Sequence, residues 1–288
     1  MRYRFVEDHR EEFRITTMCR VLQLTRSSYN YWRSHLSSSY RQRNAVLLQE
    51  IERIVEASRG TYGSPRMVRE LRKRGFVCNL KRIAKLMQDN NIQAKTKKRF
   101  KVTTNSSKTR NASPNLVQQE FHAERPNQLW TSDMTYVWTR EGWLYLAVIL
   151  DVLGRRIVGY AMSHRINAAL VVQALRSALS YRTIEPGLIF HSDRGSQYAS
   201  DSVRTILGAH KMVQSMSGTG NCYDNAITET FFHTLKTEMI YWERFETRDE
   251  ARRKIFEYIE VFYNRQRLHS SLGYMTPVEF EQQCITNH

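Results

Sequence analysis

The chain is expected to be α/β: a mixed sheet covered by helices in its second part, preceded by all-α helix-turn-helix modules. Three observations lead there. Hydrophobic spacing changes near residue 126 from helical periods to runs of strand formers. From that point the order is three strands, helix, strand, helix, strand, helix. Charge is segregated as well. Residues 1–125 hold 27 Lys and Arg against 11 Asp and Glu, which is the whole net excess of +16, while residues 126–288 hold 17 of each. Such a basic half points to a polyanion partner, and nucleic acid is the usual one.

Residues 1–44 form the first helical segment. TTMCRVLQLTRSSYNYWRS carries two short helical patterns split near Leu24-Thr25, with Thr25 or Ser27 as the second helix's cap. The spacing suits either a helix-turn-helix or a plain helical hairpin. Residues 45–94 form a second, strongly basic module. Its first helix spans 45–58, with Val46, Leu47, Ile51, Ile54 and Val55 inward. Ser64-Pro65 then opens a helix that stops at Gly75. Asn79 caps the last helix, with Ile83, Leu86 and Met87 inward. The candidate DNA surface of this module is Arg66, Arg69, Lys81, Arg82 and Lys85.

Residues 95–125 are a basic and then Ser/Thr/Asn-rich linker, where Lys97, Lys98, Arg99 and Lys101 would ride on phosphates beside Phe100. Residues 126–242 follow the element order of an RNase H-like core, opening with an antiparallel meander of NQLWTSDMTYVW, WLYLAVILDV and RRIVGYAMS. Asp224 is placed to cap the last helix of that core, and Ser217–Tyr223 reads as either an active-site flap or an ordinary connection. Residues 243–288 read as one helix over 248–267 and an irregular tail. Trp130, Trp138 and Trp143 read as core or sheet packing in preference to base stacking.

Several classes are excluded. No run approaches 18 apolar residues, so no membrane span is expected. MRYRFVEDHREEFR lacks the apolar stretch of a secretory signal. Cys19, Cys78, Cys222 and Cys284 form neither a disulfide framework nor a zinc spacing, which fits a reducing cytoplasm.

Three carboxylates carry the chemistry. Asp133 lies in LWTSDMTYVW, Asp193 follows the buried strand GLIF, and Glu229 lies in the helical DNAITETFFHTLKTE, with 35 residues between the last two. In the expected topology the first and fourth strands are neighbours, so Asp133 and Asp193 come together and Glu229 arrives from a helix above them. Converging acids raise one another's pKa, and a divalent cation relieves the penalty. Oxygen donors suit Mg²⁺ or Mn²⁺, two per active site, for phosphoryl transfer on a nucleic acid. On the same helix Ile227, Phe231 and Leu235 face the core, while Glu229, His233 and Lys236 share another face.

HSDRGSQY at 191–198, DNAITETFFHTLKTE at 224–238 and YNRQRLHSSLGYMTP at 263–277 resemble the OrfB-type transposases of the third bacterial insertion-sequence family, which are retroviral-integrase-like DDE recombinases. The resemblance extends over nearly the whole chain. It implies that Asp133, Asp193 and Glu229 are the catalytic and metal-binding triad and that Lys236 touches the DNA end. It also implies 3′-end cleavage and strand transfer through a circular intermediate, with terminal inverted repeats and target DNA as partners. At least a dimer on DNA is expected, in the bacterial cytoplasm at the nucleoid. The family's first-frame product OrfA, a short helical protein with a leucine zipper, has no counterpart in this sequence, which implies a partnership or fusion with it.

Further candidate DNA contacts are His191, Arg194, Asn225, Arg265 and Arg267. His191 alternatively orients a metal ligand or is a polar strand-end residue, and Asn225 alternatively sits in the first helical turn. Arg265 and Arg267 alternatively pack the tail onto the core. Two competing functions stand beside a transposase. One is a non-catalytic DNA-binding regulator, which intact acids disfavour. The other is a different RNase H-like nuclease, which needs no sequence-reading modules.

Overall fold

The computed structural model describes residues 2–34, 39–95, 113–118, 120–218 and 225–286. Two compact units result, Met1–Ala94 and Lys95–His288. Among the described residues no helix is long and apolar enough to cross a membrane.

In the first unit, helices α1 (Arg2–Asp8), α2 (Ile15–Val21) and α3 (Arg26–Ser34) enclose a small core of Val6, Met18, Cys19 and Tyr29. Thr25 caps α3, its hydroxyl oxygen accepting the Ser28 N–H at 3.1 Å. Helices α4 (Ser39–Ala57), α5 (Ser64–Lys73) and α6 (Leu80–Asp89) bury Leu47, Ile51, Ile54, Met67, Leu71, Ile83 and Met87. Helix α4 starts six residues ahead of the expected 45, and Val46 is exposed because the inward stripe runs 47, 51, 54. Ser64 is already helical, with Gly63 as the capping residue. The stop of α5 is a Schellman motif: Gly75 has φ +86°, its N–H reaches the Arg72 carbonyl, and the Phe76 N–H reaches Leu71. Asn79 caps α6 by accepting the Arg82 N–H at 2.8 Å.

The second unit carries a five-stranded sheet in the order β3-β2-β1-β4-β5. Strands β1 (Leu129–Thr139), β2 (Gly142–Asp151) and β3 (Arg156–Ser163) form the antiparallel meander, and β4 (Ile189–Ser192) and β5 (Val213–Met216) add in parallel. Alternation along the strands builds two cores. Trp130, Ala147, Ile149 and Phe190 pack with α7 (Ala168–Tyr181) and α8 (Asp201–Ala209). Leu129, Val137, Leu146 and Val148 pack on the opposite face with α9 (Ala226–Glu238) and α10 (Arg248–Glu257). Gly159 lets α7 sit on β3, since a Cβ there would lie 2.6 Å from the Ala174 carbonyl oxygen and from Ala178.

The carboxy-terminal expectation needs correction. The helix from 248 widens at Tyr258–Tyr263 into a π-helical segment, which turns Tyr258, Ile259, Phe262 and Tyr263 all inward. The tail is ordered instead of irregular. A 3₁₀ turn at Ser270–Leu272 and a bridge between His269 and Met275 lead into α11 (Pro277–Thr286). Asn264 bonds both the N–H and the carbonyl of Ile157, each at 3.0 Å. That contact falls beside the register shift between β2 and β3, where the ladder leaves groups to satisfy. Glu281 of α11 pairs with Arg156 and Arg182.

Candidate active site

Asp133 is on the α9 face of β1, the face shared by Leu129, Thr131 and Val137. The parallel ladder pairs Thr131 with His191 and Ser132 with Ser192. Extending it one step sets Asp133 beside Asp193 at neighbouring-strand spacing, about 4.8 Å. Asp193 begins the turn after β4, where its Oδ1 accepts the Gly195 N–H at 3.0 Å. A Cβ at Gly195 would press on that same oxygen at 3.0 Å, so glycine keeps the carboxylate's place open. Asp133 Oδ1 accepts the Met134 N–H at 2.7 Å.

Helix α9 is pinned to this strand by two buried contacts. The Thr228 hydroxyl donates to Thr131 Oγ1 at 2.8 Å, and Asn225 Nδ2 donates to the Ser132 carbonyl at 3.2 Å. Glu229, next to Thr228, is exposed on the helix surface, while Ile227, Phe231 and Leu235 are buried as the spacing predicts. Beneath the acids Tyr198 is fully buried, its hydroxyl 3.0 Å from Ser132 Oγ. Sequence reasoning missed Tyr198, Thr131 and Thr228; the only signal for them was their place in the same three motifs and strands.

The electrostatics follow from burial. Desolvation first, and then the negative charges of Asp193 and Glu229, push Asp133 up to about 8 against the opposing pull of the Met134 N–H and Lys236. Burial raises Asp193 and Glu229 too. Lys236 is lowered by burial and partly restored by Asp133. All three acids are thus held in an environment that disfavours their charge. Among the described residues, however, no three Asp, Glu, His or Cys side chains converge closely enough to hold a metal ion. The donors are of the right kind, but they stand ungathered.

The candidate DNA contacts divide sharply. His191 is fully buried, with Nδ1 2.8 Å from Ser215 Oγ and its ring edge-on to Phe121, so it braces β4 against β5 instead of facing DNA. Asn225 is buried too, committed on one side to Ser132; its Oδ1 has no hydrogen-bond partner among the described residues. Arg194 donates from Nε to the Ser217 carbonyl. Arg267 is 6% exposed and forks onto Glu238 at 2.7–3.0 Å, and Glu238 also takes the Tyr258 hydroxyl. It therefore locks the tail to α9, whereas Arg265 is exposed.

In the first unit Arg82 is turned to Asn44 Oδ1 at 2.6 and 2.9 Å, where an outward residue was expected. Arg66 lies 5.8 Å from the Tyr62 ring centre and Lys85 pairs with Asp89, while Arg69 and Lys81 are exposed. Lys97, Lys98, Arg99, Phe100 and Lys101, residues 219–223 of the expected flap, and Asp224 as cap lie outside the described residues. Trp130 is in the core as expected; Trp138 and Trp143 are 59% and 42% exposed and outside the core, but as cross-strand partners they pack edge to face on one another, which is the sheet-packing alternative.

A mixed sheet of this order, with one acid on its central strand, a second in the turn after the neighbouring strand and a third on a helix across them, is the arrangement expected of an integrase-core protein. The integrase core domain family matches residues 123–222 and again 229–285, and the HTH-like domain family matches residues 41–100. The chain is 41% identical over 291 residues to transposase InsF for insertion sequence IS3A of Escherichia coli (strain K12), covering 99% of this chain and 100% of that one. It is 44% identical over 265 residues to the insertion element IS600 uncharacterized 31 kDa protein of Shigella sonnei, covering 92% and 97%. The chain belongs to the IS3 family of DNA transposases.

Two solved structures overlap with it. A chain of the simian T-cell lymphotropic virus intasome, in complex with PP2A regulatory subunit B56 gamma, gives a TM-score of 0.47 at 12% identity, covering 80% of this chain and 74% of that one. The HTLV-2 integrase catalytic core domain in complex with magnesium gives 0.43 at 15%, covering 55% and 97%.

Proposed function

We propose that the chain cuts the 3′ ends of its insertion sequence and joins them to a second strand by metal-dependent phosphodiester chemistry, through a circular intermediate. The observation that carries this reading is the in-register extension of β1 and β4 that sets Asp133 beside Asp193, under a helix whose Thr228 is bonded to Thr131. Carboxylates buried next to one another are costly to ionise. An all-oxygen donor set of this kind fits a hard divalent cation. Asp133, Asp193 and Glu229 would hold two Mg²⁺ or Mn²⁺, and Glu229 must draw inward to complete the set. When bound, such ions neutralise the charge that develops on the attacking and leaving oxygens.

The chain's own groups do the rest. Lys236, on the Glu229 face of α9, supplies a cation to a DNA phosphate. Gly195 and the Met134 N–H orient the two aspartates. In the first step water adds to phosphorus, the bond to the 3′ oxygen breaks, and that oxygen leaves as a hydroxyl with a proton. In the second step the freed 3′-OH adds to another phosphodiester and displaces that strand's 3′ oxygen. No Ser, Tyr or Cys need become covalently attached. The helical modules read the terminal repeats, and at least two copies, with the first-frame product or fused to it, hold two ends together.

A regulator that binds but does not cut draws on one observation, the ungathered acids. One experiment separates the readings. Purified protein, element-end DNA and Mg²⁺ should yield a nick at the 3′ end. Asp193→Asn should abolish the nick and leave DNA affinity intact. If the Asn variant cuts as fast as wild type, or wild type binds without cutting even when the first-frame product is supplied, the catalytic reading fails.

A further inference from the structure

Strands β1 and β2 run 11 and 10 residues, whereas β4 and β5 run four. The far half of the β1–β2 hairpin therefore projects beyond its parallel neighbours. On that projection Trp138 and Trp143 meet edge to face at 4.7 Å, and Tyr136 meets Trp143 in the same way at 4.9 Å. All three are more than 40% exposed. Exposed aromatic rings of this size normally find cover. These instead form one wall of a cleft of about 510 Å³, whose other wall is the chain after α9, including Tyr241 and Arg244. That volume lies within the range of small-ligand clefts, about 300–1,000 Å³, and admits no duplex.

The platform is rigid. Thr139 bridges to Phe245, the Arg140 N–H donates to the Phe245 carbonyl at 3.1 Å, and Arg248 donates to the Trp143 carbonyl at 3.1 Å. Gly142, at φ +102°, closes the two-residue turn. Cations rim the cleft. Lys236 Nζ lies 5.4 Å from the Tyr136 ring centre and within electrostatic reach of Asp133, and Arg244 and Arg140, the latter paired with Glu246 at 3.0 Å, complete the rim. The one acid in the lining, Glu243, is paired with Lys254 at 2.7 Å.

Aromatic faces with cations at the edge complement a nucleobase with its phosphate. Lys236 links this cleft to the acids. We infer that the hairpin cleft formed by Tyr136, Trp138 and Trp143 takes an unpaired nucleobase of the DNA strand whose phosphate is at the active site. The inference rests on the DNA-cutting reading above and names how that DNA is held: with a base splayed out of the duplex next to the reacting phosphate.

The test uses the full chain and a 30-base-pair duplex with a three-nucleotide 3′ overhang containing 2-aminopurine, against the same duplex blunt. Wild type should quench the 2-aminopurine and bind the overhang about tenfold tighter than the blunt duplex. Trp138→Ala with Trp143→Ala should remove both the quench and the preference while binding blunt DNA normally; Trp138→Phe should keep them. Should the double variant melt early, Trp138→Ala and Arg244→Ala, both at exposed positions, replace it. Undiminished quenching in the variants overturns the inference. So does a change of sedimentation from dimer to monomer with quenching intact, which would make the patch an interface between copies. Quenching by a wild type that never nicks DNA would leave this inference standing and sink the cutting reading instead.

Discussion

At the scale of the residue, Asp133 decides the most. Its carboxyl is raised from the ordinary 3.8 to about 8 by burial and by its acidic neighbours. A raised carboxyl holds its proton more tightly in the folded state, so the metal-free protein is most stable, as far as this group goes, below the unfolded value. It loses that stability as pH climbs from about 4 to about 8. Asp133→Asn cannot ionise and can still accept the Met134 N–H. In urea melts with EDTA it should match wild type near pH 4 and exceed it at pH 8 by on the order of 1–3 kcal/mol. Added Mg²⁺ should stabilise wild type and leave the variant unmoved. A variant weaker than wild type at pH 8 would show that the site does not penalise charge. The residue scale is also where sequence reading was uneven. Asp133 and Asp193 stood out because acids in or at the end of apolar strands are conspicuous, and Glu229 by its place on a helix, with 35 residues between it and Asp193. Arg267 and His191 looked like DNA contacts because a basic side chain in a motif gives no sign of its burial, which comes from Glu238 at 29 residues' distance and Ser215 at 24.

At the scale of the element, the order of strands and helices in the second unit was legible, since the change from helical period to alternating apolar strands is a local signal. The tail was not, although it carried one. Thr276-Pro277-Val278-Glu279 is a capping box with proline in the first turn: Thr276 Oγ1 accepts the Glu279 N–H at 3.1 Å and Glu279 accepts the Thr276 N–H at 2.9 Å. The π-helical segment left no local trace, because it arises from packing four neighbouring side chains inward. Trp138 and Trp143 alternate as strand residues should; their exposure comes from the unequal lengths of strands that meet only in the fold. The buried Arg267–Glu238 pair ties the segment after α10 to α9, the helix that carries Glu229. Removing one partner of such a pair costs about 3–5 kcal/mol. Arg267→Ala should therefore lower the stability of the chain by that order in denaturant melts, while Arg265→Ala, at an exposed site, should leave it unchanged. If Arg267→Ala melts like wild type and only binds DNA less well, its role is contact and not support.

At the scale of the whole molecule, charge and chemistry are divided between two units. The first carries most of the basic excess and an HTH-like match; the second keeps the rest of that excess in residues 95–125, is electrically balanced over 126–288, and holds the acids. A balanced, acid-bearing core gains its hold on a polyanion from the basic segments joined to it. The integrase-core matches stop at residue 222 and resume at 229, so the acids come from both matched stretches, with Glu229 the first residue of the second. The proposed chemistry requires that they gather, and ion occupancy reads this out most directly. Mn²⁺ bound to the full chain on element-end DNA, counted by electron paramagnetic resonance, should reach two per active site in wild type and fall below one in Asp193→Asn. Equal occupancy in the two proteins, or none in a wild type that cuts the same DNA, would contradict the account.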